Sequence, residues 1–253
     1  MKYVEHEIKK KNGKVRKITA PDDELKAYQR SRIPYYEAKF NQITSDLHLD
    51  NIFHGFVKKR SPITTAEQHI GYDATVYFDL ANFFDTVTKE SVIAVLMEIP
   101  IKDSLLFHKE YYTAQGFPSS PVLANIALVP LVYYIKEALT IIAEDHFALT
   151  IYADDISISY NSHKTDWRTI RDLVYKQINT SPFEINTRKT RVRFSKHGYR
   201  PILGVNVGKD HIQASRKSTR KVRAVSHLVT TDPSKAQALG GLTTWQGSTT
   251  KTY

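Results

Sequence analysis

The apolar positions of this chain switch several times between helical and strand spacing, and the switches mark its elements. Residues 1–20 predict two short strands around Asn12-Gly13, a dipeptide that favours a tight hairpin turn. Leu25, Tyr28 and Ile33 then recur at helical spacing. That helix is expected to open at Pro21, with Asp22, Asp23 and Glu24 where the helix dipole favours acids. Residues 51–71 read as loop and short helix. The run ATVYFDL over 74–80 predicts a buried strand ending in a turn, and 91–97 a short helix. Ser119 or Ser120 is placed to cap a helix with Pro121 in its first turn and apolar residues continuing to Ile135. Apolar runs at 147–153 and 156–160 flank Asp154-Asp155 and predict a hairpin. A further amphipathic helix is expected over 166–178, strands over 190–194 and 199–207, and a basic helix after Ser215 before a Gly/Thr-rich end. Strands and helices mix without regular βαβ alternation, so the fold class is α+β.

Charge changes the picture more than composition does. The chain has 253 residues, 41% hydrophobic and 25% charged, a balance that suits a folded domain rather than a disordered tail. Lys+Arg 36 against Asp+Glu 26 leaves a net charge of +10. That excess points to a polyanion partner, nucleic acid first and a membrane surface second. With no cysteine, disulfides, thiolate zinc sites and a cysteine nucleophile are excluded. The expected compartment is the cytoplasm. The apolar stretch 121–135 is short for a membrane span, and the N-terminus lacks the apolar core of a secretory signal. The ten histidines show no metal-ligand spacing, and His69 reads as a structural hydrogen-bonder.

Acidic positions interrupt the apolar pattern at two places. Tyr152-Ala153-Asp154-Asp155 sets adjacent carboxylates between β-branched and aromatic strands, where like charges repel and lose hydration. A solvated turn accounts for the pair equally well, because Asp is a common turn residue. Asp79 ends the strand run and places another carboxylate at the rim of the core; a cap or turn is the plainer role, and Asp85 suits that role better. If the Asp79 strand lies beside the hairpin, Asp79 and Asp154 meet at one edge. Such a pair supplies hard oxygen ligands for two Mg²⁺ ions. Two metals roughly 3.5–4 Å apart activate a 3′-hydroxyl and stabilise a leaving pyrophosphate. With a basic surface, that chemistry suggests nucleotidyl transfer.

Ordered blocks then carry a family resemblance. They are KVRKITAP over 14–21, His54-Gly55-Phe56 through Arg60-Ser61 with 66–69, FDLANFF over 78–84, QGFPSSP over 115–121 continuing to Asn125, Tyr152-Ala153-Asp154-Asp155, 186–190, and Leu203-Gly204. In order and spacing the chain resembles the reverse transcriptases of bacterial retroelements, of the retron and group II intron type. The resemblance implies a polymerase right-hand fold. Residues 1–72 with part of 88–118 would form fingers, 73–207 the palm, and 208–253 a basic, short, thumb-like segment. It implies an RNA-directed DNA polymerase that uses Mg²⁺, or Mn²⁺ as substitute, with dNTPs, an RNA template and an RNA/DNA duplex, and no membrane. A noncoding RNA, and a homo-oligomer or accessory protein completing the thumb, are further implied partners. By analogy, so is a retroelement or antiviral role. Untemplated or protein-primed synthesis on the same fold, and a catalytically silent RNA-binding scaffold, stand as alternatives.

The same resemblance assigns residues. Asp79 and Asp154 would ligate metal with the Phe78 and Leu80 carbonyls as helpers, and Asp155 is a third acid. Phe84, five positions after Asp79, would select deoxynucleotides by colliding with a ribose 2′-hydroxyl, although core packing also explains a Phe there. Gln115 would hydrogen-bond the nucleotide and Gly116 let backbone approach it. Arg16 has the fork geometry for a triphosphate, with Lys10 or Lys11 assisting, and a solvated basic face as the alternative. Lys189 would neutralise or protonate the departing pyrophosphate. Leu203-Gly204 resembles the turn that holds the primer end. Arg216, Lys217, Arg220, Lys221 and Arg223 would present a cationic helix face to duplex phosphates. Thr65-Ala66 and Ile202-Leu203-Gly204 depart from the usual retron Asn-Ala and Val-Thr-Gly, and Ser120-Pro121 from the Ser-Gln of diversity-generating enzymes.

Overall fold

The computed structural model describes residues 2–9, 13, 15–109, 111–144, 146–161, 163, 165–230, 232, 234, 236–248 and 251–252. Strands β1 (Tyr3–Lys9) and β2 (Val15–Pro21) pair antiparallel, from Tyr3↔Pro21 to Lys9↔Val15. Pro21 therefore closes β2 rather than opening the next helix. Helix α1 (Asp23–Asp46) starts one residue after Asp22, whose carboxylate accepts the Leu25 N–H and thus satisfies a donor the helix leaves open. Tyr28, Arg32 and Tyr36 on α1 converge on the buried carboxylate of Asp103, which lies in a short 3₁₀ turn at Ile101–Leu106.

Helix α2 (Pro62–Glu67) begins with a reciprocal Ser61/Thr64 capping box. The chain then enters β3 (Ala74–Asp79), buried along its whole length, and the short helices α3 (Phe83–Thr86) and α4 (Lys89–Leu96). Helix α5 (Ser120–Ala143) extends well past Ile135 and is long and apolar enough to meet the length and composition of a membrane span. Here it is the core helix, with Leu123, Ile126, Leu128, Val132, Ile135 and Leu139 fully buried. It packs on α1, α4 and α6 (Trp167–Asn179). Burial of side chains of this size is worth about 1.5–3 kcal/mol each. Neither serine caps α5 through its side chain: the Ser119 hydroxyl donates to the Leu106 carbonyl and that of Ser120 to the Ala114 carbonyl.

Strands β4 (Phe147–Tyr152) and β5 (Asp155–Tyr160) form the expected hairpin, and β6 (Arg191–Phe194) completes a sheet of order β4-β5-β3-β6. One face of this sheet, carrying Ala74, Val76, Phe78, Ile156 and Ile158, joins the α5 core. Alternation sends Thr75, Tyr77 and Asp79, with Asp155, Ser157 and Ser159, to the other face. Tyr77 packs there against a second sheet. The strand expected over 199–207 is instead two strands of that sheet, β7 (Arg200–Ile202) and β8 (Val205–Val207), folded back around Leu203-Gly204. Strand β9 (His211–Ala214) follows, then α7 (Arg216–Val229), where the basic helix was expected. The Gly/Thr-rich end holds α8 (Ala236–Ser248) and β10 (Lys251–Thr252), which pairs with β9.

Candidate active site

Two strands deliver the acidic residues to one edge. Asp79 is the last residue of β3 and lies in register with Asp155, the first residue of β5. Asp154 occupies the two-residue loop before β5, where Ala153 takes φ 55°, a left-handed backbone that costs a non-glycine residue strain. The tip is held by backbone: Leu80 N–H donates to the Asp154 carbonyl at 2.8 Å, and Asn186 N–H to the Asp79 carbonyl at 2.8 Å. From behind, the N–H groups of His54 and Gly55 both donate to the Ile151 carbonyl. The buried Asn125 amide donates to the Gly55 carbonyl at 2.9 Å. A Cβ on Gly55 would lie 2.3 Å from the Ala153 nitrogen, so only glycine fits beneath the hairpin tip.

Asp79 and Asp154 open into a cleft of about 780 Å³. Arg16 and Lys17 of β2, Phe83 and Phe84 of α3, Gln115, and Asn186 to Lys189 line its other walls. The Lys189 ammonium donates to the Asp79 carboxylate at 2.5 Å. Burial, then the charge of Asp79, raises the Asp154 carboxyl above the usual carboxylate range, opposed by Lys189 and Arg16. Burial, then Asp154 and Asp79, pushes Asp155 up to about 6. Clustered carboxylates that resist ionisation at their own edge are relieved by an added cation, and hard oxygen donors suit Mg²⁺ or Mn²⁺. The donor set thus fits a divalent ion at Asp79 and Asp154, beside Leu80, which also borders the cleft. Asp155 is not among the cleft-lining residues, although it faces the same side of the sheet as Asp79 and pairs with it in register; among the described residues no three His, Cys, Asp or Glu side chains group to hold a metal.

The remaining expected residues divide by place. Arg16, Phe84 and Gln115 border the cleft. The Phe84 ring sits 5.2 Å from Phe83 and 6.1 Å from the half-exposed Phe56. Gly116 does not border the cleft; with φ 113°, it lies where a Cβ would meet the Thr19 carbonyl oxygen at 2.4 Å, while Thr19 N–H donates to the Gln115 carbonyl. The close approach that requires glycine is therefore to β2. Lys11 and Lys10 lie outside the described residues. Leu203 and Gly204, at φ 49° and 85°, form the β7–β8 turn and are not among the cleft-lining residues, and Ser215 N–H donates to the Gly204 carbonyl, tying the start of α7 to it. Arg216, Arg220 and Arg223 are exposed along α7. Gly55 and Asn125 were quoted above only as block members. An amide within the apolar run VLANIAL was the available signal for Asn125, because a buried amide must find a partner.

A family model described as reverse transcriptase (RNA-dependent DNA polymerase) matches residues 8–225. The chain belongs to the reverse transcriptase family. The chain is 30% identical over 250 residues to the retron Mx65 reverse transcriptase of Myxococcus xanthus, covering 89% of this chain and 55% of that protein. It is 26% identical over 223 residues to the retron Ec86 reverse transcriptase of Escherichia coli, covering 85% of this chain and 66% of that protein. It spans about half to two thirds of the length of these relatives. Among solved structures, telomerase from Candida albicans superposes with a TM-score of 0.60 at 12% identity, over 84% of this chain and 46% of that one. A foamy viral protease-reverse transcriptase superposes with a TM-score of 0.55 at 15% identity, over 97% of this chain and 36% of that one. At these identities the solved structures share the fold.

Proposed function

We propose that this chain is an RNA-directed DNA polymerase that adds a dNTP to the 3′-hydroxyl of a primer on an RNA template. The observation that carries the reading is the meeting of Asp79 and Asp154 at one cleft with Arg16, Gln115 and Phe84. In it, Asp79, Asp154 and the Leu80 carbonyl, with Asp155 as a third acid, would hold divalent metal, Mg²⁺ with Mn²⁺ as substitute. When bound, the metals supply activation of the attacking 3′-oxygen and charge stabilisation of the leaving pyrophosphate. The chain's own groups do the rest. The Arg16 fork grips triphosphate oxygens, and the Gln115 amide hydrogen-bonds the nucleotide. As the 3′-hydroxyl gives up its proton to solvent water and its oxygen bonds to the α-phosphorus, the bond to pyrophosphate breaks and Lys189 Nζ gives a proton to the departing oxygen. The Phe84 ring excludes a ribose 2′-hydroxyl. Leu203-Gly204 supports the primer end, and Arg216, Arg220 and Arg223 contact duplex phosphates without regard to sequence.

Residues 1–72 with part of 88–118 act as fingers, 73–207 as palm and 208–253 as a thumb-like segment. Likeness to retron enzymes supports a noncoding RNA template in a bacterial retroelement or antiviral system. Primer extension on RNA tests the polymerase reading. The wild-type chain should extend the primer with sequence complementary to the RNA, and Asp154→Ala should lose at least a hundredfold in rate. Equal rates in the two proteins, or a product unrelated to the supplied template, would overturn it.

A further inference from the structure

Arg200, the first residue of β7, has no exposed surface. Its guanidinium donates to the Thr75 hydroxyl at 3.1 Å, the Ser159 hydroxyl at 3.3 Å, the His69 carbonyl at 2.8 Å and the Gly208 carbonyl at 3.1 Å. These acceptors are all neutral, and Nε is buried without a hydrogen-bond partner among the described residues. A charge held this way costs far more desolvation than an apolar side chain of the same volume would. Simple packing does not account for it, whereas the geometry of its partners does.

Thr75 and Ser159 face each other in register on β3 and β5, their hydroxyls 2.7 Å apart. The His69 ring continues the network, to Ser159 at 2.8 Å and to Thr150 of β4 at 2.7 Å. The network therefore touches every strand that bears or adjoins a cleft carboxylate. Thr75 shares a strand face with Asp79, four residues and about 13 Å along β3. On its other side Arg200 stands three residues before the turn Leu203-Gly204, and its bond to Gly208 also fixes the β8–β9 connection.

We infer that Arg200 is a positioning residue that sets the β7–β8 turn relative to Asp79 and Asp154, and thereby aligns a primer end with the nucleotide site. The inference rests on the polymerase reading above. Its test is steady-state extension of a DNA primer on RNA by the full chain, measuring the KM for primer–template and for dNTP separately, with thermal melting alongside. Arg200→Met should raise the primer–template KM at least tenfold while the dNTP KM stays within twofold. Arg200→Lys, which keeps the charge and loses the fork, should shift the same constant in the same direction. Thr75→Val removes one acceptor at constant shape, should raise the primer–template KM severalfold, and carries the test if Arg200→Met does not fold. An active wild type whose variants change both constants by one factor, or neither, overturns the inference alone. A wild-type chain that extends no primer overturns the polymerase reading and this inference with it.

Discussion

Adding one methyl group beneath the β4–β5 hairpin is the sharpest perturbation the structure offers. In Gly55→Ala the new Cβ would sit 2.3 Å from the Ala153 nitrogen, 2.9 Å from the Tyr152 carbonyl carbon and 3.0 Å from its Cα. Ordinary contact begins near 3.4 Å, so the two backbones must separate by about 1 Å. No rotamer relieves the clash, because every atom met is main chain. Two terms follow. Overpacking of this kind costs about 1–3 kcal/mol of stability. Displacement of a catalytic group by about 1 Å costs on the order of a hundredfold in rate, or about 2.7 kcal/mol of barrier. Asp154 rides on the loop that moves, so the rate should fall more than the fold does. Single-turnover primer extension at saturating dNTP and metal measures the first, and urea unfolding the second. Gly240→Ala, at a position in α8 with nothing within 4 Å of the new Cβ, is the matched control and should leave the rate unchanged. A Gly55→Ala protein that extends primers within threefold of wild type would refute the claim that Gly55 sets the hairpin tip.

Three further outcomes are expected. Phe84→Ala should raise the use of ribonucleotides relative to dNTPs by tenfold or more, measured as the ratio of their kcat/KM values; an unchanged ratio would return Phe84 to core packing beside Phe83. Burial holds His54 down at about 4 and His69 at about 3, so the unfolded chain, titrating near 6.5, takes up those protons first. The stability they lend is full above pH 6.5 and falls as the pH drops towards 4; His69→Gln should flatten the melting temperature over that window, and an unaltered slope would contradict the assignment. Asp103→Ala strips the buried acceptor shared by Tyr28, Arg32 and Tyr36 and should cost on the order of 3 kcal/mol in urea unfolding, leaving the dNTP KM unaltered.

How far the sequence discloses this protein depends on how local each signal is. The β4–β5 hairpin and α7 were legible because their patterns are complete within a dozen residues: apolar strands around Asp154-Asp155, and a Ser215 cap before a basic amphipathic run. Juxtaposition of Asp79 with Asp154 was conditional on strand order, which only the β3–β5 register supplies. Local signals also misled. Pro21 satisfies the preference for a helix start, yet its place in β2 is fixed by pairing with Tyr3. The turn at Leu203-Gly204 was legible only through the family resemblance, since a bulky residue gives no local hint of φ 49°, and the pattern alone read one strand where the structure has a hairpin. Gly55 and Arg200 owe their roles to partners roughly a hundred residues or more away, Ala153 for one and Thr75 for the other, and no spacing rule reaches that far. The alternation Ile156-Ser157-Ile158-Ser159 did advertise a polar face on a buried strand, a signal that something polar must meet it.

Titration of Mn²⁺ into the protein with a dNTP present, followed by electron paramagnetic resonance, reaches the central claim without depending on template or primer. Asp79 and Asp154 acting as one metal-binding edge predicts saturable binding in the wild type, weakened at least tenfold by Asp79→Ala and by Asp154→Ala alike. Binding that survives unchanged in both variants would contradict the account.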